Sequence, residues 1–318
     1  MPNLTNSSLQ AYVEDGGRSS DFLFRGPKVT HQIEAELHFG ENGYRFKLAP
    51  TADEDFLIND EARYYEGDRS GWWELGGGYT TPKLLKDKDK PGASGSRSVS
   101  AYVYDAIAAW KIYHFHDTSR SSGMRRLESV DDDEYLRFDA SNIAPFLYYL
   151  RENEEDSYKE IVNTIRLVAP FFQDFILRPR KEKVRLQWRQ KGSDYPLKPF
   201  HLSDGTIRFI CLTTALLQPK PPSTILIDEP ELGLHPYALD VLAELIQASA
   251  KRTQLIVSTQ SAPLVDSFSP EDVIVVERMD GGSSFKRLSE KYLSDWLQDY
   301  SLGDLWRKNI VGGGPANE

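Results

Sequence analysis

The sequence predicts an α/β protein with a parallel-sheet core, an antiparallel β subdomain and an inserted helical lobe. Residues 225–227, 255–257 and 273–276 are short continuous apolar runs rich in β-branched side chains, the pattern of strands buried on both faces of a parallel sheet. Between the first two, residues 236–251 set Leu239, Leu242, Ala243, Leu245 and Ile246 on one helical face, with Pro236 in the first turn. Strand, helix and strand at this spacing make a βαβ unit. Near the start, Ile33, Ala35, Leu37 and Phe39 alternate with Gln32, Glu34, Glu36 and His38, the period of a half-buried antiparallel strand.

The other elements follow in order. Residues 9–14 read as a helix that turns at Gly16-Gly17. A turn at Glu41-Asn42-Gly43 leads into Tyr44, Phe46 and Leu48 and predicts a hairpin, with further short strands at 56–58 and 63–65. Residues 86–98, KDKDKPGASGSRS, lack apolar periodicity and read as a mobile surface loop. Helices are expected at 99–110, at 143–151 with Asn142 at the N-cap, and at 158–168, ended by Pro170. Strands are expected at 110–115, 175–177 and 184–188. The expected domains are an antiparallel β subdomain (1–85), a flexible loop (86–98), a helical lobe with short strands (99–195), a catalytic core (196–290) and a C-terminal helix and tail (291–318). Trp72-Trp73 read as core, and Cys211, inside an apolar helix, reads as packing.

Composition bounds the function. Hydrophobic residues at 40% with charged residues at 27% exclude wholesale disorder. Lys+Arg 38 against Asp+Glu 48 gives a net charge of -10, which argues against indiscriminate nucleic-acid coating. One cysteine excludes an internal disulfide framework. No apolar run approaches the roughly 18 residues of a membrane span. The start, MPNLTNSSLQ, has neither a basic nor an apolar leader region, so the expected location is the cytoplasm, without membrane contact.

The chemistry concentrates at residues 224–230, TILIDEP, where an apolar strand ends in Asp228 and Glu229. Carboxylates there stand at the carboxyl edge of a parallel sheet, where ligands bind. One can hold hydrated Mg2+, and the next can orient an attacking water or take its proton. A strand leaving into an acidic turn has the same pattern. Upstream, Ser203-Asp204-Gly205 opens an apolar helix and offers a hydroxyl, backbone N–H groups and a helix dipole to a phosphate; taken alone, it reads first as an ordinary N-cap. His114 and His116 share one face of a strand beside Asp117, which suits a structural role, or a metal if further ligands join them. The basic run 178–191, with Trp188 interleaved, fits solvated strand charge or DNA contact.

In this order and spacing, residues 202–208, 225–229, 231–236 and 258–261 resemble the signature motif, Walker B with its catalytic glutamate, D-loop and switch loop of ABC-type ATPase heads. The chain as a whole resembles bacterial AAA-family ATPases with an ABC-like domain, of the SMC and RecF kind, in features that include residues 113–119 and the ending 297–313. The resemblance implies a P-loop NTPase-like fold and ATP-driven homodimerisation. Asp228 would organise Mg2+, Glu229 would activate water, and Gln260 would occupy the switch position. Ser203, Asp204 and Gly205 would meet ATP across the dimer, and His235 would communicate between sites. It implies a partner to be switched, an effector nuclease, a toxin subunit or DNA, in phage defence or DNA repair.

Two departures stand out. The switch histidine of the superfamily is Gln260, which donates a hydrogen bond but cannot become cationic. No G-x-x-x-x-G-K-[ST] occurs, and no glycine precedes a lysine. The expectation is that the sequence starts just after its P-loop helix and that the chain alone turns over ATP poorly. The alternative is a non-hydrolysing scaffold that lends its signature face to a P-loop partner. A fused nuclease of the overcoming-lysogenization-defect kind is disfavoured, because the chain stops soon after the ATPase core.

Overall fold

The computed structural model describes residues 9–67, 70–92, 95–279 and 281–314. The chain divides into two compact units, Met1–Trp110 and Lys111–Glu318.

In the first unit, helix α1 (Leu9–Gly16) precedes an antiparallel sheet in the order β1-β2-β3-β4: β1 (Ile33–Phe39), β2 (Asn42–Pro50), β3 (Phe56–Tyr65) and β4 (Gly71–Gly76). Phe39 pairs with Asn42, so the hairpin turn is Gly40-Glu41, earlier than the sequence suggested; Gly40, at φ 58°, supplies the left-handed residue that turn needs. The two short strands expected at 56–58 and 63–65 are one strand, broken in register by a bulge opposite Lys47 and Leu48. Tyr44, Phe46, Leu48, Phe56 and Ile58 form the buried face, with Leu84 and Val103 packed among them. Those two come from α2 (Lys83–Asp87) and α3 (Val99–Ala108), the latter capped by Ser98, whose side chain accepts from Ala101 N at 3.1 Å. Helix α3, grouped by the sequence with the helical lobe, thus packs on this sheet. The loop expected at 86–98 begins inside α2, and its residues 93 and 94 lie outside the described residues.

Glu61 lies fully buried in β3 and gathers four donors: Tyr44 OH at 2.9 Å, Tyr79 OH at 2.7 Å, and the N–H groups of Lys83 and Leu84, both at 2.9 Å. The last two are orphan donors of the first turn of α2, so the carboxylate fastens that helix to the sheet. Burial, then the Glu61 charge, pushes the Tyr44 hydroxyl far above the ordinary phenol range. Trp72 and Trp73 depart from the core expectation. They sit on edge strand β4, where Trp72 packs against Tyr64 beneath the Arg45 guanidinium and Trp73 is exposed.

The second unit holds the remaining elements: β5 (Trp110–Tyr113), β6 (Leu127–Ser129), α4 (Ile143–Asn153), α5 (Glu155–Val168), β7 (Phe172–Ile176), β8 (Lys183–Arg185), β9 (Gln187–Gln190), β10 (Pro196–Leu197), α6 (Asp204–Leu217), β11 (Thr224–Asp228), α7 (Pro236–Ser249), β12 (Gln254–Ser258), α8 (Ala262–Val265), β13 (Ile274–Met279), β14 (Gly282–Arg287), α9 (Glu290–Leu293) and α10 (Leu302–Arg307). One sheet has the order β12-β11-β5, and β11 and β12 run parallel, as the βαβ pattern requires. Helix α6 is apolar and buried from Ile207 to Leu217, and it packs against α5 and α7. Cys211 lies inside it, fully buried, with its thiol pushed up by that burial.

Three expectations change in this unit. Residues 274–279 are not a strand of the parallel sheet. They pair antiparallel with β14 in a separate two-stranded sheet, with Val275 buried and Ile274 and Val276 exposed. The single strand expected at 184–188 is two, β8 paired with β6 and β9 paired with β7 and β10, with Trp188 buried in the core. Asn142 stands at the N-cap position of α4, as expected, but its side chain does not cap the helix. Fully buried, its Oδ1 accepts from Arg137 N at 2.8 Å, and its Nδ2 donates to Asp132 O at 2.9 Å and Tyr135 O at 2.7 Å, closing the preceding loop.

Candidate functional site

The parallel register of β11 and β12 sets Asp228 opposite Ser258 at the carboxyl edge of the sheet. The Ser258 hydroxyl donates to Asp228 Oδ1, and Glu229 N donates to Ser258 O at 2.9 Å. Glu229 is the first residue beyond the strand and has φ 41°, a left-handed backbone that is uncommon for a side chain of this kind. Its Oε1 accepts from Gln260 Nε2 at 2.8 Å. Asp228, Glu229 and Gln260, three of the residues singled out from sequence, therefore stand together. Glu231 completes the turn: its Oε1 accepts from Thr259 Oγ1 at 2.7 Å and from Gln260 N at 3.0 Å.

Ser203, Asp204 and Gly205 open α6. The Ser203 hydroxyl caps the helix, accepting from Thr206 N at 3.1 Å. The N–H groups of Asp204 and Gly205 belong to the first turn, where no intrahelical acceptor exists. Gly205 lies against the backbone of Gly233, which joins the signature-like turn to the turn after Glu229. Asp204 is paired with Arg125, Nη2 to Oδ1 at 2.8 Å. An open cavity of about 490 Å³ beside this pair is bordered by Ser119, Arg120, Phe200 and Ser203. His235 caps α7, its Nδ1 accepting from Tyr237 N at 3.3 Å.

Two buried arginines that the sequence did not single out hold these segments. Arg208 is 7% exposed; it donates to Phe115 O at 3.0 Å, to His116 O at 3.2 Å and to Leu232 O. Burial lowers its guanidinium below the usual arginine range. Arg125, 4% exposed, donates to Thr118 O at 2.9 Å and to Pro199 O as well as to Asp204. No local pattern marks Arg125, which acts across 79 positions, whereas Arg208 lies within the signature-like segment. His116 Nε2 donates to Asp228 O at 2.9 Å, which ties the residue to the end of β11. Among the described residues no group of three or more His, Cys, Asp or Glu could hold a metal, which leaves His114, His116 and Asp117 without the further ligands a metal needs there. Among the described residues no helix is long and apolar enough to cross a membrane.

Residues 22–267 match the family described as "AAA domain, putative AbiEii toxin, Type IV TA system". Among solved structures, an SMC head bound to the C-terminal winged-helix domain of ScpA is similar over 92% of this chain and 88% of its own, at 17% identity and TM-score 0.50. An Smc head with an extended coiled coil from Pyrococcus furiosus, bound to the C-terminal domain of ScpA, is 16% identical over 94% of this chain and 89% of its own, with TM-score 0.45. The SMC head domain from Thermotoga maritima is 14% identical over 79% of this chain and 75% of its own, with TM-score 0.36. No curated protein matches the chain. The chain belongs to this AAA-domain family, and its fold is that of a P-loop NTPase-like, ABC-type ATPase head.

Proposed function

We propose that this head binds and hydrolyses ATP, closes as a dimer around the nucleotide, and so switches a partner: an effector nuclease, a toxin subunit or DNA. Phage defence or DNA repair is the setting proposed for it. The observation that carries the reading is the arrangement at the edge of β11 and β12, where Asp228 meets Ser258 and Glu229 meets Gln260. Mg2+ takes one or two carboxylates and draws its other ligands from phosphate and water. The single carboxylate of Asp228, with the Ser258 hydroxyl beside it, fits that demand. When bound, Mg2+ would supply charge neutralisation for phosphate oxygens.

In this reading Asp228 holds the ion, and Glu229 orients the attacking water and takes its proton. Gln260 donates to Glu229 and fixes the carboxylate. Being neutral, it does so without the charge a histidinium would bring. The first turn of α6, with Ser203, Asp204 and Gly205, faces a phosphate of nucleotide held by a second subunit, and His235 lies on the path between sites. The P-loop, which these 318 residues do not spell, is supplied in this reading by a segment joined before them.

The test is ATP turnover by the chain with and without an N-terminal P-loop segment. The joined form is expected to hydrolyse ATP, and its Glu229→Gln variant to bind ATP, stay dimeric and not turn over. An unchanged rate in that variant would place the general base elsewhere. The alternative reading is a non-hydrolysing subunit that lends its signature face to a P-loop partner. That reading gains if turnover appears only on mixing the chain with such a partner.

A further inference from the structure

Three consecutive residues, the last of β12 and the two that follow it, each donate to a different carboxylate at the end of β11 or in the turn after it: Ser258 to Asp228, Thr259 to Glu231, and Gln260 to Glu229. Glu231 has no part in the chemistry proposed above. Its Oε1 accepts twice, from the Thr259 hydroxyl and the Gln260 N–H, while its Oε2 is buried with no hydrogen-bond partner. A buried carboxylate oxygen left unpaired costs stability that an apolar or fully paired residue would not. A residue that keeps such a cost beside a candidate reaction centre is held there for its geometry.

We infer that Glu231 is a positioning residue for Glu229: by anchoring the backbone of Gln260, it decides where the Gln260 amide donates and so how the Glu229 carboxylate is held. The inference rests on the proposed role of Glu229. Gln260 lies in no helix or strand and is exposed, so regular structure does not fix its backbone. Glu231 does so directly at the Gln260 N–H. It acts a second time through Thr259, whose Oγ1 also accepts from Ser261 N at 3.0 Å and is thereby turned to donate to Glu231. The contacts run from Glu231 to the Gln260 backbone, from there to the Gln260 amide, and on to Glu229. The hydrogen bonds of Glu231 go to the Gln260 backbone and to the Thr259 hydroxyl, one step removed from the Gln260 amide.

That separation makes the idea testable in the 318-residue chain, without nucleotide. The side-chain amide of Gln260 is followed by 15N NMR, assigned by its disappearance in Gln260→Ala. In the parent it should exchange severalfold more slowly than a free glutamine amide. Glu231→Ala should abolish that protection together with the backbone protection of Gln260, whereas Glu229→Ala should abolish the side-chain protection alone. If Glu231→Ala folds poorly, Thr259→Val removes one of the two bonds with every carboxylate in place and should cut the side-chain protection at least twofold. Side-chain protection that survives Glu231→Ala, or is unmoved by Thr259→Val, overturns the inference. In the P-loop-joined form, Glu231→Ala should lower kcat at least tenfold with KM within twofold, and Glu231→Gln, which keeps an acceptor oxygen, should recover part of it. An unchanged kcat also overturns the inference. A joined parent without turnover counts against the ATPase reading instead, and the amide result still decides the role of Glu231.

Discussion

Gly205 faces the carbonyl of Gly233 so closely that a Cβ at position 205 would stand 2.1 Å from that oxygen. The obstacle is backbone, so it cannot swing aside. Alanine favours a helix over glycine by about 1 kcal/mol, but forcing the two turns apart costs about 1–3 kcal/mol. Gly205→Ala is therefore expected to lower the melting temperature despite its helix position. A melting temperature at or above the parent's would show that the turn at 233 is free to retreat.

Glu61→Ala should cost at least about 3 kcal/mol, because two hydroxyls and two N–H groups lose their acceptor in a buried place. Glu61→Gln keeps one acceptor oxygen and should cost less. Urea unfolding of both variants measures the difference, and equal losses would mean that packing volume, not acceptance, is what Glu61 supplies.

Stability should fall at alkaline pH. Burial raises the hydroxyls of Tyr44 and Tyr158 above their unfolded value, the first beside Glu61 and the second beside Asp174. The contribution is fully present below the ordinary phenol value of about 10. Above it the unfolded chain releases protons that the folded chain retains, so stability drops as pH rises towards the folded values. Melting temperatures from about pH 8 to pH 11 should show this decline. Tyr158→Phe should flatten it relative to the parent, and an identical slope would contradict the assignment.

Arg208→Met should destabilise the second unit by about 3 kcal/mol, since the carbonyls of Phe115, His116 and Leu232 lose one shared donor. Arg208→Lys should recover only part of that, because one ammonium cannot span three separated acceptors as a planar fork does. Calorimetry of the two variants orders them. Lysine matching arginine would reduce the residue to a buried charge.

The strand and helix patterns of the sequence were legible wherever one face is buried and the other solvated. Residues 33–39 alternate as their burial demands, and the strands of the βαβ unit at 224–258 pair in parallel as expected, but β12 leaves Ile256 exposed where burial on both faces was expected; the candidate carboxylates at 228–229 followed from the end of a strand. Residues 274–276 misled because an exposed two-stranded ribbon can carry the same β-branched run as a buried parallel strand. Trp72 and Trp73 misled because size suggests burial, whereas an edge strand can cover tryptophan with an arginine stem and neighbouring rings. Asn142 looked like a cap, but its amide serves the loop before it. Arg125 could not be found at all, since its partners are brought near by folding and leave no local periodicity.

At Glu229 the interests of the fold and of the proposed chemistry diverge. A left-handed φ of 41° suits glycine or asparagine better than glutamate. A glycine there would relax the chain, and a lineage selected for stability alone would drift towards it. In the proposed reading the strain at that angle is offset by what a carboxylate at the sheet edge does for the chemistry. In that reading stability and turnover pull apart at one residue, and a Glu229→Gly protein is expected to be more stable and yet inactive.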